Sequence, residues 1–214
     1  MRESRLPIAK EGYPFIFSGA LATLLLALAG VFTASFFALL ATAFVVNFFR
    51  DPERSPADEH SSIIAPADGK VIVVDRVFDD RFLKAEALKV SIFMNVFNVH
   101  VNRAPYPGRV DEVIYKAGAF YSADTQRSSL ENESCGLVML GEGGHRLAVV
   151  QIAGLIARRI ICRVGVGDVL ARGQRFGMIR FGSRVDLYLP LQTRLVVEIG
   201  QKVRAGETVL GYLS

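Results

Sequence analysis

The sequence predicts a mainly β fold, a compact β-sandwich or barrel, preceded by an N-terminal hydrophobic helical hairpin. Three observations predict it. Apolar residues gather in one uncharged run from Gly12 to Phe49. Beyond Ser62 they fall into short β-branched stretches bounded by Gly, Pro and Asp turn signals. In the last third, glycines recur at a spacing of six residues, Gly167 with Gly173 and Gly200 with Gly206.

The uncharged run exceeds the roughly 20 residues that one spanning helix needs. It divides near Gly30 into Phe15 to Ala29 and Val31 to Phe49, two helices apolar on every face, which only a large core or a bilayer would cover. A secretory signal fits poorly, because Asn47-Phe48-Phe49-Arg50 follows instead of a small-residue cleavage site. Arg2, Arg5 and Lys10 precede the run, and Arg50 and Arg54 follow it. The positive-inside tendency therefore places both flanks on the cytoplasmic side, which a hairpin satisfies and a single span does not. Residues 1–50 read as a membrane anchor, peripheral or hairpin-anchored, with dipping into the bilayer and crossing it both open at this point.

Residues 51–62 (DPERSPADEHSS) are polar, carry two prolines, and read as a linker to a β-rich catalytic domain over 63–214. There a Pro-Ala-Asp-Gly turn feeds Lys70-Val-Ile-Val-Val within Ile63–Val77. Further strands are predicted at 88–93, 110–115, 136–140, 146–152, 160–164, 176–181, 186–189 and 194–199, with no long amphipathic helix competing. The glycine echo, Val166-Gly167 then Ile199-Gly200, resembles the barrel-sandwich modules of lipoyl and biotinyl carrier domains. No carrier lysine stands at a hairpin tip.

The 51% hydrophobic content excludes disorder as the main state. A net charge of +4 is too mild and too dispersed for a nucleic-acid binder, and an anionic membrane surface is the better partner. Cys135 and Cys162 form no C-x-x-C pair and lack neighbouring histidines. They read as packing residues in a reducing cytosolic setting, with neither a metal site nor a disulfide framework expected.

Chemistry concentrates at Phe181-Gly182-Ser183-Arg184, where a serine follows glycine at the end of an apparent strand. Glycine removes the Cβ that would crowd attack of the Ser183 hydroxyl on the Gly182 carbonyl, so the peptide bond itself is a candidate substrate. A Gly-x-Ser-x-Gly elbow is absent, which argues against an ordinary serine hydrolase.

Three motifs in order now resemble the phosphatidylserine decarboxylase family in its short, membrane-associated form. They are Ala65-Pro66-Ala67-Asp68-Gly69-Lys70, then Asn95-Val96-Phe97-Asn98-Val99-His100-Val101-Asn102-Arg103-Ala104-Pro105, then Phe181-Gly182-Ser183-Arg184-Val185-Asp186. The resemblance covers the chain from about Phe48 to its C-terminus. It implies a proenzyme that cuts itself between Gly182 and Ser183, turning Ser183 into a covalent pyruvoyl group. The mature protein would be a heterodimer of fragments 1–182 and 183–214. The pyruvoyl carbonyl would form a Schiff base with the amine of phosphatidylserine and accept the electron pair released with CO2, giving phosphatidylethanolamine without an external cofactor.

Asp68 and His100 are the candidates for proton transfer, since a carboxylate beside an imidazole sets its tautomer and raises its basicity. Longer members carry a second histidine where this chain has Arg103, which leaves the division of roles between His100 and Arg103 open. Arginine suits a substrate carboxylate or phosphate. Of Arg158 and Arg159, adjacent on a strand, at most one faces the site. His60 and His145 read as surface residues, and Phe93, Phe97 and Tyr121 as aromatic core. Two alternatives remain open at this point: the same chemistry on another phosphoserine lipid such as archaetidylserine, or a non-catalytic membrane adaptor whose chain stays uncut.

Overall fold

The computed structural model describes residues 7–56, 61–119, 121, 131–154, 159–180 and 183–213. The chain divides into two units, Met1–Glu53 and Arg54–Ser214.

In the first unit, α1 (Tyr13–Leu28) and α2 (Phe32–Phe48) form the expected hairpin. Gly30 lies at the turn with φ +75°, a conformation open to glycine. The helices approach closely at Gly19, where an added Cβ would stand 2.6 Å from Thr42 Oγ1. Ser35 Oγ donates to the Thr23 carbonyl across the pair, and Phe15 stacks on Phe49. The helical segment Lys10–Leu28 is long and apolar enough to cross a membrane. The most exposed apolar side chains, Phe17, Leu28 and Phe32, are each more than 70% exposed, and two of them flank the hairpin turn.

The second unit is built of strands: β1 (Ser62–Ile64), β2 (Gly69–Asp79), β3 (Ala85–Met94), β4 (Val101–Arg103), β5 (Gly108–Lys116), β6 (Ser134–Gly141) and β7 (Arg146–Ala153) come first. After them come β8 (Ile160–Cys162), β9 (Val169–Leu170), β10 (Arg175–Ile179), β11 (Ser183–Leu189), β12 (Arg194–Leu195), β13 (Lys202–Val203) and β14 (Val209–Tyr212). An antiparallel eight-stranded sheet runs β13-β2-β3-β11-β7-β6-β5-β9, beside two three-stranded sheets, β1-β14-β12 and β4-β10-β8. Period-two alternation sends Leu137, Met139, Leu147, Val149, Val185 and Leu187 into the main core. Val138, Ala148, Val150 and Ile152 pack on the other face against Phe82, whose ring lies directly on Gly136. Burial on both faces explains why β6 and β7 read as continuous apolar runs.

The glycine echo is half of a larger duplication. Ala65-Pro66-Ala67-Asp68-Gly69-Lys70-Val71 is repeated as Ala104-Pro105-Tyr106-Pro107-Gly108-Arg109-Val110. Each copy docks on one glycine pair in matching fashion. The Gly206 amide donates to the Ala65 carbonyl and Gly173 to Ala104, while Gly200 donates to Val71 and Gly167 to Val110. Gly167 and Gly200 share φ +93°. Strands β4, β9, β13 and β14 escape the sequence reading because they are two to four residues long, too short to show alternation.

Candidate functional site

Ser183 opens β11 rather than closing a strand. The apolar run predicted as one strand over 176–181 stops at Ile179, in the sheet with β4 and β8, whereas Ser183 already belongs to the eight-stranded sheet. Ile179 thus ends in one sheet and Ser183 begins in another. Gly182 and Phe181 lie outside the described residues, as do His60 and Arg158.

The strand register brings the motifs to one end of the large sheet. Ser183 pairs with Met94, the last residue of β3, and with Ala153, the last of β7. Lys70 pairs with Phe93, which sets Gly69, the first residue of β2, beside the end of β3. An added Cβ at Gly69 would stand 2.1 Å from the Phe93 carbonyl oxygen, so no side chain fits there. The segment after Met94 carries His100, and the turn before Gly69 carries Asp68.

Ser183 is fully buried, and its hydroxyl donates to Met94 Sδ at 3.2 Å. Arg184 faces the opposite side of the strand and binds Asp186 through Nε and Nη2, with Nη2 also on Ser91 Oγ at 2.9 Å. Lys89 Nζ reaches Asp186 Oδ2 at 3.1 Å. These charges are buried but paired, so the start of β11 is pinned from behind as well as along its ladder.

His100 is also fully buried. Its Nδ1 lies 3.0 Å from the Asn98 carbonyl oxygen and must donate to it, which leaves Nε2 as the basic nitrogen of the neutral ring. The Ile179 amide donates to the His100 carbonyl, and Met178 pairs with Val101. The imidazole is therefore carried by the segment that flanks the chain leading to Ser183. Its anchor is a turn in which Asn98 Oδ1 accepts from the Asn95 amide and Asn95 Oδ1 accepts from the Phe97 amide.

Asp68 does not orient His100. Its Oδ1 accepts from the Ala205 amide at 2.7 Å, and its Oδ2 pairs with Arg54 Nη2 at 3.2 Å. The carboxylate ties the turn before β2 to the turn after β13, and Asn98 sets the imidazole tautomer instead. In the duplicated turn Pro107 stands in the equivalent place, so the backbone shape alone does not demand an acid. Arg103 is buried; its amide donates to the Pro66 carbonyl and its Nη1 to the Gly173 carbonyl at 3.1 Å.

Three other expectations are settled by position. Phe97 is not core, because the Asn95–Asn98 turn leaves it 66% exposed, while Phe93 and Tyr121 are half-buried. Arg159 is exposed, and His145, half-buried, follows the Gly143-Gly144 turn between β6 and β7. Cys135 is buried, and Cys162, half-buried, packs against the core with its thiol on the Val164 carbonyl at 3.5 Å. Sequence reasoning missed Arg54, placed in the linker, and Gln151, hidden in an apolar strand. It also missed Asn132, whose amide donates to the Ala153 and Tyr121 carbonyls. Their partners are distant in the chain, so no local pattern marks them.

The phosphatidylserine decarboxylase family profile matches residues 41–211. The chain is 54% identical over 213 residues to the phosphatidylserine decarboxylase proenzyme of Desulfotalea psychrophila, with both chains covered in full. It is 52% identical over 220 residues to that of Citrifermentans bemidjiense and 50% over 218 residues to that of Geobacter sulfurreducens, again over the whole of both chains.

Proposed function

Because the chain belongs to the phosphatidylserine decarboxylase family and is an enzyme of that type, we propose that it decarboxylates phosphatidylserine with a pyruvoyl group made from its own Ser183. Family membership sets aside the adaptor alternative. The observation that carries the reading is the buried Ser183 at the head of β11, with His100 on the segment that flanks β10.

Self-cleavage begins when Ser183 Oγ adds to the Gly182 carbonyl. The hydroxyl proton rests on a thioether, a weak acceptor, so little is lost when it turns to a base. His100 Nε2 is that base, its ring held by the Asn98 carbonyl. Asp68 and Arg54 hold the turn that closes this end of the sheet. The residues around Ser183 fit the group: among the described residues its hydroxyl engages only Met94 Sδ, so no strong acceptor competes for its proton. Backbone pairing to β3 and β7 holds the new chain end in place.

The pyruvoyl group supplies an electrophilic carbonyl that takes up the electron pair released with CO2. His100 then serves as the proton donor to the product, and fragments 1–182 and 183–214 stay together through the β11 ladder. The apolar hairpin seats the enzyme at the cytoplasmic face of the membrane, where the lipid need only expose its head group.

The test is an intact denatured mass spectrum of the purified protein beside Ser183→Ala. Two wild-type fragments meeting at Gly182 and Ser183, the smaller blocked by pyruvoyl, and an uncut variant are expected. An uncut wild-type chain, with lipid present, would remove the electrophile and the reading with it.

A further inference from the structure

Asn102 and Gln151 stand in the strand ladders, but their fully buried polar side chains are used neither by those ladders nor by the mechanism above. Gln151 lies on β7 opposite Val185, on the face of the sheet that carries Ser183. Its Nε2 donates to Asn102 Oδ1 at 2.8 Å. That bond orients the Asn102 amide, whose Nδ2 is directed at Met94 Sδ, 3.9 Å away. The same sulfur receives the Ser183 hydroxyl. The reverse orientation would set the amide oxygen against the sulfur lone pairs. Gly177 makes room for the pair, since an added Cβ would stand 2.8 Å from Gln151 Nε2.

A buried NH2 group that meets nothing better than a thioether among the described residues is under-satisfied, and native interiors seldom leave such a donor without use. We infer that Asn102, oriented by Gln151, is the hydrogen-bond donor for the oxygen that leaves Ser183 during self-cleavage. The inference rests on the pyruvoyl reading above. After the acyl shift, the Gly182 acyl group is esterified to Ser183 Oγ and the Ser183 nitrogen is free. A base takes the α-proton, a carbon–carbon double bond forms, and the Cβ–Oγ bond breaks with its electron pair passing to oxygen. Gly182 departs as a carboxylate, and water then replaces the nitrogen, which leaves as ammonia. Negative charge thus develops on the oxygen that began on the Met94 sulfur. The Asn102 donor, directed at the sulfur that holds this oxygen, is the amide that meets the charge.

The test follows maturation of the full-length protein after synthesis, using Asn102→Asp, which keeps an oxygen for Gln151 but removes the donor, and Asn102→Ser, which restores one. Elimination slowed about 100-fold is expected for Asn102→Asp, the scale of losing one donor to a developing oxyanion. The full-length chain should accumulate as an ester that hydroxylamine cuts at Ser183, releasing a fragment that begins with serine. Asn102→Ser should recover part of the rate. Thermal melting of each variant in the Ser183→Ala background separates folding from chemistry. Maturation of Asn102→Asp at the wild-type rate, or a stalled chain of normal stability that hydroxylamine does not cut, would overturn the inference. A wild-type chain that never cuts would instead overturn the pyruvoyl reading.

Discussion

Removing the Asp68 carboxylate tests whether that residue works by holding two turns together. Asp68→Ala leaves the Ala205 amide, only 1% exposed, without its acceptor, and deprives Arg54 of the better buried of its two acidic partners. The Asp68 and Arg54 side chains are each 10% exposed, so solvent screens their pair weakly. An unmet buried amide costs about 1–3 kcal/mol and a charge-assisted hydrogen bond contributes about 1.5–3 kcal/mol. Because Arg54 keeps Glu207, a total near ~3 kcal/mol is expected, which lowers Tm by about 6–12 °C in a unit of this size. Asp68→Asn retains an oxygen for Ala205 and loses only the ionic part, about 1 kcal/mol. The assay is thermal and urea unfolding in the Ser183→Ala background, which keeps every variant as one uncut chain. A double-mutant cycle with Arg54→Met should show coupling of about 1 kcal/mol. Equal losses for Asp68→Asn and Asp68→Ala, or no coupling to Arg54, would refute the clamp. A collapse of maturation in Asp68→Asn with an unchanged melting curve would place the carboxylate in proton transfer instead.

Two further predictions concern the cysteines and the hairpin. The neighbouring Cys135 thiol pulls the Cys162 thiol down to about 6, while Cys162 and burial push Cys135 up. Thiolate rises with pH, so iodoacetamide should label Cys162 with a midpoint near that value and leave Cys135 unmodified; Cys135→Ala should move the midpoint upward, and a wild-type midpoint at the ordinary thiol value of about 8.5 would contradict the assignment. At the hairpin turn, Leu28→Asp with Phe32→Asp places two charges where the most exposed apolar side chains stand, which should abolish co-flotation with anionic vesicles without altering the fragment pattern; undiminished flotation would show that the hairpin tip does not enter the lipid.

The sequence by itself determined the hairpin and its division at Gly30, because a run without charge has no other stable place and glycine alone takes the turn freely. It also determined the β class and the three motifs, whose turn chemistry and order are local properties of the chain. The register was decided only in three dimensions. Ser183 reads locally as the end of the Phe176–Phe181 run, yet long-range pairing with Met94 and Ala153 makes it the start of a new strand. The site partners were decided in the same way. Asp68 and His100 look like a carboxylate–imidazole pair in sequence, but Ala205 and Arg54 take the carboxylate and Asn98 takes the ring. Asn102 and Gln151 meet across strands and carry no mark of it in the chain. Local patterns report backbone preference and burial period, whereas hydrogen-bond partnership depends on which distant segments the folded sheet brings side by side.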